Sequence, residues 1–153
     1  MATKVEKTGS GSAVRLIGIL LMLAGLIMVV AGATTWFTVQ SQLADERITV
    51  SADAEWFAGE KIDGPLTAYS EAQIIEKHAL KASGGKTYAE LDKEDPVRAT
   101  VMTGSFLRAS LFTSVVSFGI AAMAAGLGLV IGLIGYALFL VARRLAVDPA
   151  PTA

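Results

Sequence analysis

Residues 16–44 and 109–142 contain no charged side chain, 29 and 34 positions in a row, and this limits what the chain can fold into. An α-helix rises 1.5 Å per residue, so ~20 apolar residues cross the hydrocarbon core of a bilayer, and both runs exceed that length. With 53% hydrophobic residues and a mean hydropathy of +0.55, the 153-residue chain is too apolar for an ordinary soluble domain. The expected fold is an all-α membrane protein: a two-helix transmembrane hairpin whose long helices extend outside the bilayer, with a small, mostly helical extracytoplasmic segment.

The pattern around the runs sets expected boundaries. Residues 1–13 read as a flexible tail, with the first span starting at residue 14 and an outer extension reaching residue 44. Trp36 follows Arg15 by 21 residues, a rise of ~31 Å, which places Trp36 and Phe37 at the aromatic belt of the far interface. Ala31-Gly32-Ala33 resembles a signal-peptidase site, but the apolar stretch continues through Val39, so a retained anchor is expected. Asp95-Pro96 reads as a helix start, and no proline recurs until Pro149. One helix over 96–142 would be more than twice as long as the hydrocarbon is thick. Its excess belongs outside, because a lone arginine such as Arg108 is costly at the bilayer centre. Residues 143–153 form a second tail.

Between the spans, residues 45–98 hold twelve acidic and seven basic side chains. Arg47-Ile48-Thr49-Val50-Ser51-Ala52 alternates like a short strand, and Asp63-Gly64-Pro65 marks a turn. Ser70-Glu71-Ala72-Gln73 has capping-box spacing for a helix that would stop at Gly84-Gly85, and Thr87-Tyr88-Ala89-Glu90 repeats the signal for a shorter one. Lys4, Lys7, Arg15, Arg143 and Arg144 lie at the chain-terminal ends of the two spans, against Arg47, Arg98 and Arg108 near the connecting segment. Both termini are therefore expected in the cytoplasm of a cell-membrane protein. A net charge of −1 offers no basic face for nucleic acid. The chain has no cysteine, which removes disulfides, thiolate catalysis and cysteine-ligated zinc.

Small residues recur where two helices would meet. Gly18, Gly25 and Gly32 are seven apart, while Ala121, Ala125, Gly128, Gly132 and Gly135 follow steps of four and three. A repeat averaging 3.5 keeps them on one stripe of each helix, the pattern that lets membrane helices approach closely. The two stripes are expected to pack together, with Leu21 and Met28 filling gaps. Hydroxyls at the outer ends, from Thr34 to Ser41 and from Ser105 to Ser117, could hydrogen-bond between the helices or simply mark the exit from the membrane.

The one histidine, His78, lies in Glu71-Ala-Gln-Ile-Ile-Glu-Lys-His-Ala79. Non-haem iron needs two histidines and a carboxylate, and zinc usually several His or Cys ligands, so no metal or cofactor is expected. The segment reads instead as a helix with Glu71, Gln73, Glu76, Lys77, His78 and Lys81 toward solvent and Ile74, Ile75 and Leu80 inward. No spacing singles out a triad partner for His78. Trp56, Phe57, Ile62, Leu66 and Tyr69 form a candidate apolar cluster, either an anchor onto the helices or a docking patch for a partner, since ~55 residues make a marginal core alone.

The stretches TWFTVQSQLADERITVS, GPLTAYSEAQIIEKHAL, GKTYAELDKEDPVRATVMT and SFLRASLFTSVVSFG, within residues 35–119, resemble a group of small actinobacterial two-span membrane proteins. Members often carry the label aromatic ring-opening dioxygenase, which in its true bearers implies an iron-dependent enzyme. The iron-binding residues of that chemistry have no counterpart here, so the resemblance implies architecture and location and transfers no catalytic residue. The expected role is that of a non-enzymatic integral membrane protein, an accessory subunit or assembly factor. Its partners would be the lipid bilayer and another membrane protein or its own copy, with no small-molecule substrate. A small enzyme subunit and a homo-oligomeric membrane protein are the alternatives.

Overall fold

The computed structural model describes residues 10–147, with side chains from 11 to 144; the tail expected over 1–9 and the end of the tail over 148–153 lie outside the described residues. Among the described residues the fold is all-helical: α1 (Ser10–Asp45), α2 (Pro65–Ala82), a single 3-10 turn (Tyr88–Glu90) and α3 (Arg98–Val147). Both α1 and α3 contain a stretch long and apolar enough to cross a membrane. Helix α1 begins at Ser10, within the stretch expected as a tail.

The chain divides into two compact units, residues 1–33 with 122–153, and residues 34–121. In the first unit the N-terminal part of α1 and the C-terminal part of α3 pack side by side. Gly18 lies against Gly135 and Gly25 against Gly128, so the paired positions run in opposite directions along the chain and the helices are antiparallel. Large side chains such as Leu16, Ile17, Leu26, Ile27, Leu129 and Leu133 remain exposed.

The second unit has a core of Leu43, Val50, Ile62, Ala68, Ala72, Leu111 and Phe118, with Trp36, Val39, Phe57, Ile75, Phe112 and Val115 packed around it. The Trp36 ring meets Phe118 edge-on at 4.7 Å between centroids, a favoured aromatic arrangement that adds to the area it buries. Trp36 is therefore half-buried by protein, whereas Phe37 is exposed.

Several local expectations change. The strand expected over 47–52 is a lone antiparallel bridge between Thr49 and Lys61, flanked by the bonds Val50 N to Glu60 O and Ile62 N to Ile48 O. A pair this short has no third strand to extend it and leans on the core through Val50 and Ile62. The first helix ends without glycine because Arg47 itself takes the left-handed conformation, φ 53°. The second helix starts five residues before Ser70, at Pro65. There the Thr67 hydroxyl accepts from Gly64 N at 3.2 Å, and proline at the first position costs no hydrogen bond. It ends at Ala82, followed by Gly84 and Gly85 at φ 66° and 89°, as the paired glycines predict.

Thr87 and Glu90 do form the expected cap, with Thr87 N and Oγ1 both donating to Glu90 Oε2, at 2.7 and 2.8 Å, although the helix is only one 3-10 turn. These bonds, the backbone one foremost, hold the Glu90 carboxyl below its ordinary value. The long helix begins at Arg98, two residues after the expected Pro96; Asp95 instead caps the turn by accepting from Val97 N at 2.9 Å. Arg98 reaches back to the carbonyls of Tyr88 and Leu91, and its guanidinium lies 4.0 Å over the Tyr88 ring. The entry to α3 is thus tied to the 3-10 turn by one side chain.

Candidate functional site

Unit one offers contact chemistry and little else. A Cβ on Gly25 would meet Gly128 O and, at 2.7 Å, Gly132 N; one on Gly128 would meet Gly25 O at 2.6 Å and Met28 Cβ at 2.8 Å; one on Gly135 would meet Gly18 O at 2.6 Å and Leu21 Cβ at 2.9 Å. Gly18 is equally confined, with Gly135 O at 2.8 Å. Backbone therefore touches backbone at four glycines, and Leu21 and Met28 fill the spaces beside them. Gly132 contributes its N and Cα to the contact, yet its own Cβ direction is open. Gly32 is buried and Ala125 half-buried in this unit; Ala121, in the other unit, is buried. At its far end Arg15 and Arg143 lie 5.5 and 6.0 Å from the Phe139 ring centroid.

In unit two the polar side chains organise around α2. The loop after the β-bridge is held at three places along that helix. Ser51 N and Oγ donate to the two oxygens of Glu71, at 2.7 and 2.9 Å. Asp53 Oδ2 lies 2.7 Å from His78 Nε2, which must donate because an ionised carboxylate only accepts. The Ser70 hydroxyl donates to Trp56 O at 2.7 Å. Glu71 and His78 are seven residues apart, two turns on one face, so this face is a clamp for the loop rather than a free solvent face.

His78 has a partner that sequence spacing could not single out, since Asp53 lies 25 residues away. The hydrogen bond from His78 is the main cause that holds the Asp53 carboxyl below its ordinary value, with the charges of His78 and Lys77 adding to it. Ser51, two residues before Asp53 in the chain, donates its hydroxyl to Glu71. Among the described residues no group of three His, Cys, Asp or Glu side chains could hold a metal ion.

Glu76 is half-buried and bonds Arg108 at 2.7 Å, while the Arg108 guanidinium also lies 5.2 Å from the Phe112 ring. Arg108 is thus paired rather than lone. The inward residues of α2 are Ala68 and Ala72, fully buried, then Ile74; Ile75 and Leu80 are half-buried. The small side chains of Ala68 and Ala72 let α2 approach the core closely.

The candidate apolar cluster separates in two. Ile62 is buried in the core and Phe57 is packed against it in the left-handed conformation, φ 61°, a costly one for a bulky residue. Trp56, Leu66 and Tyr69 face outward, 68%, 65% and 42% exposed. Trp56 and Tyr69 border an open groove of ≈ 560 Å³ together with Ser70, Gln73, Glu76 and Lys77. Half-buried Phe57 and the Ser70 bond hold the backbone beside the exposed indole.

The hydroxyls at the outer ends of α1 and α3 turn back on their own helices. Thr38 bonds Thr34 O, Ser105 bonds Val101 O, Thr113 bonds Ala109 O, Ser114 bonds Ser110 O and Ser117 bonds Thr113 O, all at a separation of four. Each satisfies itself locally, a common alternative for Ser and Thr in helices. The chain matches no protein family model, no curated protein and no solved structure.

Proposed function

We propose that the chain is a non-enzymatic integral membrane protein that crosses the cell membrane twice, with both termini in the cytoplasm and residues 45–95 outside. It acts as an accessory subunit or assembly factor for another membrane or envelope component. One observation carries the membrane reading. Only 17% and 11% of the most apolar windows of α1 and α3 are buried, whereas a core helix of a soluble protein is covered by its own fold. Exposed Leu, Ile and Val around both helices would be unstable in water and are at home in lipid. The glycine contacts support the same reading, because helices in lipid gain little from apolar burial and associate through close packing.

The partner reading rests on Trp56, Leu66 and Tyr69. Exposed aromatic side chains beside a groove are the residue types that anchor protein interfaces, and the clamp fixes the backbone that presents Trp56. Affinity purification of the full chain in mild detergent tests the role. A membrane or envelope protein that co-purifies with wild type and is lost with Trp56→Ala/Leu66→Ser supports it. Recovery of the chain alone at every expression level argues against it.

A further inference from the structure

The arginines at the end of unit one have no counter-charge. Residues 10–33 and 122–147 hold Arg15, Arg143 and Arg144 and no Asp or Glu. In unit two Arg98 donates to the carbonyls of Tyr88 and Leu91, and Arg108 is paired with Glu76. Arg15 and Arg143 are exposed and have no hydrogen bond or ion pair among the described residues.

The fold brings these two together. Gly18 packs on Gly135 in the antiparallel pair; Arg15 lies one turn before Gly18 and Phe139 one turn after Gly135, so both stand at the same level. The Arg15 guanidinium accordingly lies 5.5 Å from the Phe139 ring centroid, and Arg143, one turn further along α3, reaches back to 6.0 Å from it. Half-buried Phe139 is thus shared by a cation from each helix. An arginine beside a ring keeps N–H donors at the edge of its planar group for an oxyanion. Two such cations drawn to one ring repel each other unless an anion lies beside them.

We infer that this end of the helix pair binds the phosphate of an anionic phospholipid, in the leaflet on the side of the chain termini. The inference rests on the membrane reading above. The charge-free runs begin at residue 16 and end at residue 142, so Arg15 and Arg143 are the first charges beyond the hydrocarbon on each helix and stand at the level of the headgroups. Exposed Tyr136 and Leu140 continue an apolar surface from there toward the membrane centre, where the acyl chains of the same lipid lie. A soluble anion could use the guanidiniums alone; a lipid uses both. A zwitterionic headgroup would bring its own ammonium beside uncompensated arginines, so a headgroup of net negative charge is selected.

Native mass spectrometry tests this on the full chain, purified in mild detergent and given equal amounts of phosphatidylglycerol and phosphatidylcholine with the same acyl chains. Wild type is expected to retain at least ~fivefold more phosphatidylglycerol. Arg15→Gln/Arg143→Gln should retain the two lipids equally. Arg47→Gln/Lys61→Gln removes the same charge from exposed positions between α1 and α2 and should keep the preference. Excess inorganic phosphate should leave the lipid bound. Equal retention by wild type, a preference that survives Arg15→Gln/Arg143→Gln, its loss in both double variants, or displacement by inorganic phosphate overturns the lipid site alone. Recovery of the wild-type chain in the soluble fraction overturns it together with the membrane reading.

Discussion

The two units of this molecule are held together by different means. In unit one Gly18, Gly25, Gly128 and Gly135 bring backbone against backbone while Leu and Ile point away from the contact. In unit two large apolar side chains point inward, Phe118, Ile62 and Val50 being almost wholly buried, and Asp53 with His78 and Glu76 with Arg108 form ion pairs. On the membrane reading proposed above, the contrast matches two solvents. In water, apolar area is what a fold hides, at ~25 cal/mol per Å². In lipid that gain is absent, so helices associate where small residues permit dispersion contacts along the backbone.

Four substitutions sharpen this contrast. The largest effect belongs to Phe118→Ala, which removes the centre of the water-type core and should cost ~3–5 kcal/mol. Thermal unfolding in detergent, followed by tryptophan fluorescence, to which Trp36 beside Phe118 contributes, should show a fall of ~6–20 °C.

Next comes Gly25→Ala. Its Cβ meets main-chain atoms that cannot rotate aside, so a loss of ~1–3 kcal/mol is expected, read as a lower midpoint of SDS-induced unfolding. Gly132→Ala, on the same stripe but with an open Cβ direction, should leave that midpoint unchanged. Equal effects at the two positions would mean that glycine content, and not this contact, holds the helices.

The smallest effect concerns the Asp53–His78 bond at the surface. The Asp53 carboxyl is held below its ordinary value near 3.8. Its contribution is therefore present above that value and lost as pH falls through the depressed one. Acid unfolding of wild type should be slightly steeper below pH ~4 than that of Asp53→Asn. A difference confined to pH above 6 would show that the pair acts in another way.

The same contrast explains what could be read from the sequence. Glycines seven apart and runs without charge are local, periodic signals, and they gave the two long helices and the stripe positions where unit one makes contact. Even there, spacing could not tell Gly25, which touches backbone, from Gly132, whose Cβ would meet nothing, because the difference is a matter of rotation by part of a turn. In unit two the partners lie far apart in the chain: Ser51 with Glu71, Asp53 with His78, Glu76 with Arg108. No period links them, so the helix around His78 was legible while its role as a clamp was not. Trp56 and Phe57 are neighbours of similar character, and only the left-handed φ of Phe57 sends one outward and the other to the core.

Ile27 gives the most direct test of the central claim, since it is 68% exposed on its own protein. In single-cysteine variants on intact cells, a membrane-impermeant maleimide should label Lys61→Cys, label Arg144→Cys only after the cells are opened, and leave Ile27→Cys unreacted until detergent or denaturant removes the lipid. Rapid labelling of Ile27→Cys in an aqueous extract made without detergent would contradict a membrane-spanning α1, and labelling of Arg144→Cys but not Lys61→Cys on closed cells would reverse the orientation.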